Sequence, residues 1–577
     1  MKTTSAPIGA MLAALGLLLA GCGNVPQAFT AQVPTSGPIQ QGEQVTGSSV
    51  DQFIRVIARP PREGMTAAEI VQGFLDASAS FDGDHSVARE YLTDQASLRW
   101  DPDVGVVVYE GVPTLTESGP SVQFFATQAG TISENGRFQV SEPGAEATAT
   151  FRLVETDEGL RIDDLPNGLL LSQTDVDRAF RSYALYFFDP DFQILVPDSR
   201  MIPVVGPGLA TTLVRRLLAG PNEWLQPAVR TGFPDGVGLN IDAVLIDGGI
   251  ARVDLDTAAQ VADDAARQAL SQQLVWTLRQ LPDVQSVDIT AAGQPFFVPG
   301  VLNPQPRDAW PEVDPSGLAP GASAYVASSI GVRRITDDGT APVDGQAGTR
   351  DPLFTSIAIS VDSSRIAGLD AEQQVWSGSL TPNATLFAFS GAASPVSIAF
   401  DGPDNLWVVD EFGEVLLYSP SGRPFPIAVT GLANGDVLRA AVPSRDGTRA
   451  ALLVQSGPRT NLLEARIVRP SPTGRVGIEL QDPIRVESKL VEVLDVAWSS
   501  ADSLAVLGSE SAGAVQVYEV NIGRGSLVAQ GAPENPVSLA AAPGLPTLAA
   551  GADGVVYDNT TGSWSGRVNA TAPTYPG

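Results

Sequence analysis

The sequence predicts a multidomain protein in which two α+β domains precede an all-β propeller. Three observations carry that expectation. The first is length, because 577 residues exceed what one hydrophobic core organises and fit three or four domains. The second is the order of patterns: helical periodicity followed by strand-like runs, twice over before residue 300. The third is a repeat. Segments 355–359, 396–400, 438–442, 494–498 and 537–541 share one phase, at intervals of about 41, 42, 56 and 43 residues. That period is the length of a propeller blade.

In chain order, residues 1–21 form the pattern of a lipoprotein signal peptide. Lys2 supplies the basic front, residues 8–20 an apolar run of 13, and Leu19-Ala20-Gly21-Cys22 the lipobox. The run is too short to span a bilayer, which takes roughly 20 residues. Cys22 is the one cysteine of the chain and is the expected lipid attachment site, carrying a diacylglyceryl group and an amide-linked third chain such as palmitate. One acyl chain alone binds marginally; several give stable anchoring. Residues 22–51, rich in Gln, Pro, Ser, Thr and Gly, read as a lipidated flexible tether. The expected location is therefore the outer face of the cell membrane.

Residues 52–177 form the first expected domain. Thr66-Ala67-Ala68-Glu69 fits a capping box, followed by the apolar stripe Ile70, Val71, Phe74 and Leu75. A second helix is expected over 86–92, then a strand holding Trp100 and further strands at 105–109, 122–126, 138–140, 147–154 and 160–162. Residues 178–300 form the second. Strands are expected at 184–188 and 193–196, the latter ended by Pro197. A helix over 209–219 stops at Gly220-Pro221. A hairpin pairs 241–246 with 250–255 around Gly248-Gly249, and a helix bearing Leu270, Leu274, Leu278 and Leu281 runs to Pro282. The strand 286–290 closes this domain. Residues 301–577 form the propeller, with six blades expected and five as the alternative. Segments 324–328 and 332–335 read as inner strands of an incomplete blade, and ring closure mixes strands from both ends. An insertion around 457–488 accounts for the long interval.

Composition narrows the chemistry. A net charge of −30 disfavours nucleic acid as a partner. His85 is the only histidine and reads as a solvated helix-start residue, so histidine-dependent nucleophilic sites and ordinary zinc sites have little to be built from. Paired carboxylates remain chemically available, and acidic clusters stand at Asp163-Asp164, Asp189–Asp191 and Asp401–Asp404. None fits a calcium loop of the EF-hand kind. No catalytic, cofactor or metal residue is assigned, and the expectation is a protein that is not an enzyme. Asp254, between apolar neighbours on a strand, is expected to face solvent or a cap.

Three resemblances add to this reading. Ala88–Leu92 and the strands after it resemble the NTF2-like cone. Tyr186-Phe187-Phe188, Leu195-Val196-Pro197, Leu218-Ala219-Gly220-Pro221, Val253-Asp254-Leu255 and Thr277-Leu278 resemble a GerMN domain, a module usually without enzymatic activity. With the lipobox, Cys22–Pro26, Pro60-Pro61 and the propeller, the arrangement resembles the LpqB family of actinobacterial lipoproteins. That resemblance implies a partner of the MtrA–MtrB two-component system. It would bind the extracytoplasmic domain of a sensor histidine kinase (MtrB-like) and modulate signalling, cell division and envelope homeostasis. The alternatives are a cell-wall glycan or peptidoglycan-binding envelope module and, less favoured, a carboxylate-dependent propeller hydrolase.

Overall fold

Thr66 opens the first helix of the computed structural model, which describes residues 58–577 apart from 82–83, 205–207, 390, 421–422, 470–476, 512 and 561. The lipobox and tether, Cys22 included, lie outside the described residues. The capping box forms as expected: the Glu69 amide donates to Thr66 Oγ1 at 3.3 Å, and the Thr66 amide donates to Glu69 Oε2 at 2.8 Å. The helix Ala67–Ser78 then buries Ile70, Val71, Phe74 and Leu75. It packs on a six-stranded sheet in the order Gly159–Asp164, Glu146–Thr156, Ser121–Ser133, Gly105–Ser118, Leu169–Ser172, with Phe138–Val140 paired to Ser121–Ser133.

Two expectations are corrected here. Trp100 does not lie on a strand; it caps the helix Asp94–Arg99, where Phe74 meets it edge-on at 5.2 Å. His85 is not solvated. It is buried between the rings of Phe81 and Trp100, at 5.0 and 5.9 Å, and burial pushes its pKa down. Leu169–Ser172, which pairs parallel to Gly105–Ser118, and the helix Gln173–Ala179 were not anticipated.

The second unit begins with a nine-residue hairpin, Phe180–Phe188 against Leu195–Pro203. Pro197 does not end its strand but pairs opposite Tyr186, which a strand at the edge of a two-stranded ribbon tolerates. The helix Leu209–Leu218 ends as predicted, with Gly220 at φ +95°. Ile250–Leu255 and Ser286–Ala291 are parallel and joined by the helix Asp264–Leu278. On the other side of Ile250–Leu255 only Leu245–Asp247 is strand; 241–244 is not. Gly248 and Gly249 both have positive φ, as a tight primed hairpin turn requires. The long helix stops at Leu278, so Leu281 is buried from the turn beyond it.

That helix and the turn after it also cover a sheet edge. Gln280 both donates to the carbonyl and accepts from the amide of Ala184, and Gln273 donates to the carbonyl of Tyr186. Side chains thus take the place of the missing third strand of the hairpin.

Six four-stranded blades follow. The five repeated segments are the innermost strands of blades two to six: Ser356–Ile359, Pro395–Phe400, Val437–Pro443, Leu490–Trp498 and Pro536–Ala540. Blade one is completed from the far end of the chain, where Thr571–Thr574 pairs with Tyr325–Ser328. Segments 324–328 and 332–335 are therefore the second and third strands of that blade, not its inner ones. The long interval is absorbed by blade four, whose strands Arg449–Ser456 and Arg459–Val468 are extended. Its outer strand Glu479–Arg485 pairs parallel with Pro424–Val429 of blade three. Alternate side chains on the strands fill separate clusters between successive blades, with Trp407, Tyr418 and Phe400 fully buried.

Candidate functional site

The inner strands run the same way around a central channel of about 550 Å³. The mouth lies toward the start of the repeated segments, where Val396, Leu494 and Val537 remain 40, 44 and 54 % exposed. Ile330, Leu353 and Phe412, on loops at the same end of the strands, are also exposed. The last residues of the strands, Ile359, Phe400 and Trp498, are buried.

At that buried end the channel has a floor. Arg445 lies on the turn after the blade-four inner strand and reaches the chain end that completes blade one, on the opposite side of the ring. Its Nε and Nη2 donate to the Pro576 carbonyl at 3.1 and 3.0 Å, and Nη1 donates to the Trp498 carbonyl at 3.3 Å. The Gly577 amide donates to the Ile359 carbonyl at 3.0 Å, tying the same segment to blade two. Beneath Arg445 lies the connecting segment at Gly317, itself against Ile194 of the preceding unit.

Among the described residues, the charged side chains lining the channel are Arg439, Arg445 and Asp495. Arg439 donates to Gln455 Oε1 and to the Glu411 carbonyl near the mouth. Asp495 accepts from the amides of Val496 and of Leu539 on the next blade, at 2.9 and 2.8 Å. Burial pushes its pKa up to about 6 against those two donors. Because the folded value lies above the usual one, the folded state holds this proton more tightly, and its contribution to stability falls as pH rises from about 4 to about 6. Asp495→Asn should remove that slope. Denaturant melts at pH 4.5 and 7.5 should show the parent losing up to about 2 kcal/mol more than the variant, since the channel-facing surface is partly screened.

One carboxylate in the channel is not the pair that a carboxylate-dependent hydrolase uses. In each acidic cluster one carboxylate is held by local donors. Asp401 accepts from the Asn405 amide and from Trp407 Nε1, and pairs with Arg469 at 3.2 Å. Asp163 pairs with Arg152 at 2.7 Å. Asp189 accepts from the amides of Asp191, Gln193 and Ile194. Asp254 serves as the local cap that its position implied, accepting from Asn240, Thr290 and the Gly293 amide. Among the described residues, no three His, Cys, Asp or Glu side chains are grouped to hold a metal ion, and no helix is long and apolar enough to cross a membrane.

A second polar centre lies where the three units meet. Arg200 and Asp198 form a buried bidentate pair at 2.9 and 2.7 Å. Asn222 also donates to Asp198 through its amide and Nδ2, while Arg200 Nη1 donates to the Asn135 carbonyl of the first sheet at 2.6 Å. Trp224 Nε1 donates to the Asp482 carbonyl of blade four, Arg466 returns a bond to the Trp224 carbonyl, and the Arg137 guanidinium lies 4.9 Å over the indole. Arg485–Glu142 at 2.8 Å and Lys489–Glu110 at 3.0 Å add surface pairs between the first sheet and the propeller. A Cβ on Gly523 would come within 2.4 Å of the Ser199 side chain, so the blade-five turn packs its bare backbone on the serines of the hairpin at this junction. None of Arg445, Asp198, Arg200 and Trp224 stands out in the sequence. Each is an ordinary residue whose partner lies far along the chain.

The family model described as "Lipoprotein LpqB, N-terminal domain" matches residues 60–177, "Sporulation and spore germination" matches 184–296, and "Lipoprotein LpqB beta-propeller domain" matches 331–576. Lipoprotein LpqB of Thermobifida fusca is 30% identical and covers 98% of both chains. That of Mycobacterium tuberculosis is 28% identical over 98% of each, and that of Streptomyces coelicolor is 29% identical over 97% of this chain and 96% of its own.

Proposed function

Since the chain belongs to the LpqB lipoprotein family, we propose that it is held at the outer face of the cell membrane by a lipid on Cys22 and there binds the sensor domain of a membrane histidine kinase (MtrB-like). Through that contact it modulates two-component signalling, and with it cell division and envelope homeostasis. The protein acts by binding and performs no catalysis.

The observation that carries this reading is the open end of the propeller. The first two units pack against blades four and five and beneath the floor, through Trp224, Arg466, Gly523 and Gly317. Among the described residues, Ile330, Leu353, Val396, Phe412, Leu494 and Val537 stand exposed around the mouth. An exposed apolar ring of this kind marks a protein-contact surface. Tethering both partners to one membrane raises their effective concentration, so a modest contact area suffices.

The experiment is co-capture of the kinase from cross-linked cells. The parent should retain the kinase. Cys22→Ala should leave the folded domains intact, shift the protein out of the membrane fraction and lower co-capture at least tenfold. A Cys22→Ala protein that still fractionates with membrane and retains the kinase would refute the reading.

A further inference from the structure

The inner strands of blades three to six each step out of register near the mouth. The shifts at this level fall between Pro395 and Ser397, Leu438 and Ala440, Val493 and Asp495, and Pro536 and Ser538. The residue passed over, Val396, Arg439, Leu494 or Val537, therefore holds one structural position in four successive blades. Such a bulge leaves its extra residue unpaired and re-aims the side chain. In three blades that side chain is an exposed aliphatic group. In blade four it is a guanidinium, half-buried in the channel wall.

Arg439 is held firmly, but by neutral oxygens alone. Its Nε donates to Gln455 Oε1 at 2.8 Å, Nη2 donates to the same oxygen, and Nη1 donates to the Glu411 carbonyl of blade three at 3.1 Å. Three bonds from five guanidinium N–H groups leave one on each of Nη1 and Nη2 without a described partner. Among the described residues Arg439 enters no ion pair. Glu411 offers it a main-chain oxygen, and Asp495, the carboxylate of the channel wall, is taken by the amides of Val496 and Leu539. Phe412 follows Glu411 in the loop that Arg439 grips and is 69 % exposed. A fixed cation thus stands among exposed apolar side chains, in a chain whose net charge is −30.

We propose that Arg439 is the selectivity point of the mouth, where it receives an aspartate or glutamate side chain from a segment of the partner protein whose flanking apolar residues settle on Val396, Phe412 and Leu494. The guanidinium plane matches a carboxylate. Covering the apolar ring expels water from around the pair and strengthens it, the arrangement in which an arginine becomes a hot spot. The negative charge of the rest of the surface repels an acidic segment, so a carboxylate is welcome at this one position of the mouth and the contact acquires a register. The inference rests on the reading of the mouth as a protein-contact surface and adds the chemistry of what the partner presents there.

The test is calorimetric titration of the full mature protein with two probes: the purified extracytoplasmic domain of the MtrB-like kinase, and the blocked peptide acetyl-Leu-Val-Asp-Leu-Val-amide with its Asn counterpart. The Asp peptide should bind at least tenfold more tightly than the Asn peptide. Arg439→Met should remove that preference while leaving the Asn peptide unchanged, and Arg439→Glu should weaken the kinase domain at least tenfold. Because Arg439 also steadies the Glu411 loop, Leu494→Asp serves as a second variant. It sets a carboxylate at the equivalent bulge of the next blade with every Arg439 bond in place, and it too should reject the Asp peptide. The proposal is overturned if the Asp peptide binds no more tightly than the Asn peptide, if Leu494→Asp binds the Asp peptide like the parent, or if the kinase domain binds Arg439→Glu like the parent. A preference for the Asp peptide without binding of the kinase domain would refute the kinase partnership and uphold the chemistry of the mouth. Kinase binding without that preference would do the reverse.

Discussion

Asp198→Ala is expected to lower the unfolding free energy by about 3–5 kcal/mol, the usual cost of leaving one member of a buried ion pair alone. Asp198 and Arg200 are each 2 % exposed. Removing the carboxylate strands the Arg200 guanidinium and frees the amide and Nδ2 of Asn222 in one step. Arg200 also holds the Asn135 carbonyl, so the damage should reach the contact with the first sheet. The measurement is a denaturant melt followed by tryptophan fluorescence, with Trp224 reporting the junction. Asp198→Leu combined with Arg200→Met should cost clearly less than Asp198→Ala, because both charges leave together. Equal costs would show that the pair is not what holds the junction.

Arg449→Met is expected to cost a similar amount, about 3–5 kcal/mol at pH 7.5, and to do so in a pH-dependent way. Arg449 donates to Asp446 Oδ2 at 2.6 Å and to the Ala501 carbonyl at 2.7 Å, lies 3.6 Å from Glu464 and stacks at 5.3 Å on Trp498. Burial works against the charge on Asp446, but Arg449 and the hydroxyls of Ser444 and Thr448 outweigh it and hold that carboxyl below its ordinary value. Burial pushes Glu464 up in spite of Arg449. In the parent, the stabilisation from Asp446 is present above its unfolded-state pKa and is lost as pH falls through the lower folded value. Without Arg449, Asp446 loses the charge that opposes its burial and is expected to rise, and Glu464 to rise further, so the folded state should gain stability as pH falls. The deficit of the variant should therefore be smaller at pH 5 than at pH 7.5, read as the difference in melting midpoints. A deficit that grows on acidification would place the main contribution elsewhere.

The features legible in the sequence are those set by local rules. The capping box at Thr66 and Glu69, the glycine stop at Gly220 and the tight turn at Gly248-Gly249 depend on neighbouring residues alone, and each forms as read. The blade period was legible because each inner strand meets the same packing demand, so small and apolar residues recur in one phase. The features that escaped depend on distant partners. Trp100 carries strand-like chemistry but sits at a helix end because Phe74 and Arg89 pack on it. His85 sits in a polar turn, yet Phe81 and Trp100 enclose it. Pro197 looked like a terminator because the ribbon that tolerates it is formed only with Phe180–Phe188. The floor residue Arg445 lies on an unremarkable turn in blade four, and its partners lie 53 and 131 positions further along the chain.

The measurement that bears most directly on the proposed role is calorimetric titration of the mature protein, without its lipid, with the purified extracytoplasmic domain of the MtrB-like kinase. The expected result is saturable one-to-one binding that Phe412→Asp and Leu494→Asp each weaken at least tenfold while leaving the melting midpoint unchanged. Absence of saturable binding by the parent would contradict the kinase partnership, and undiminished binding by both variants would contradict its placement on the open end of the propeller.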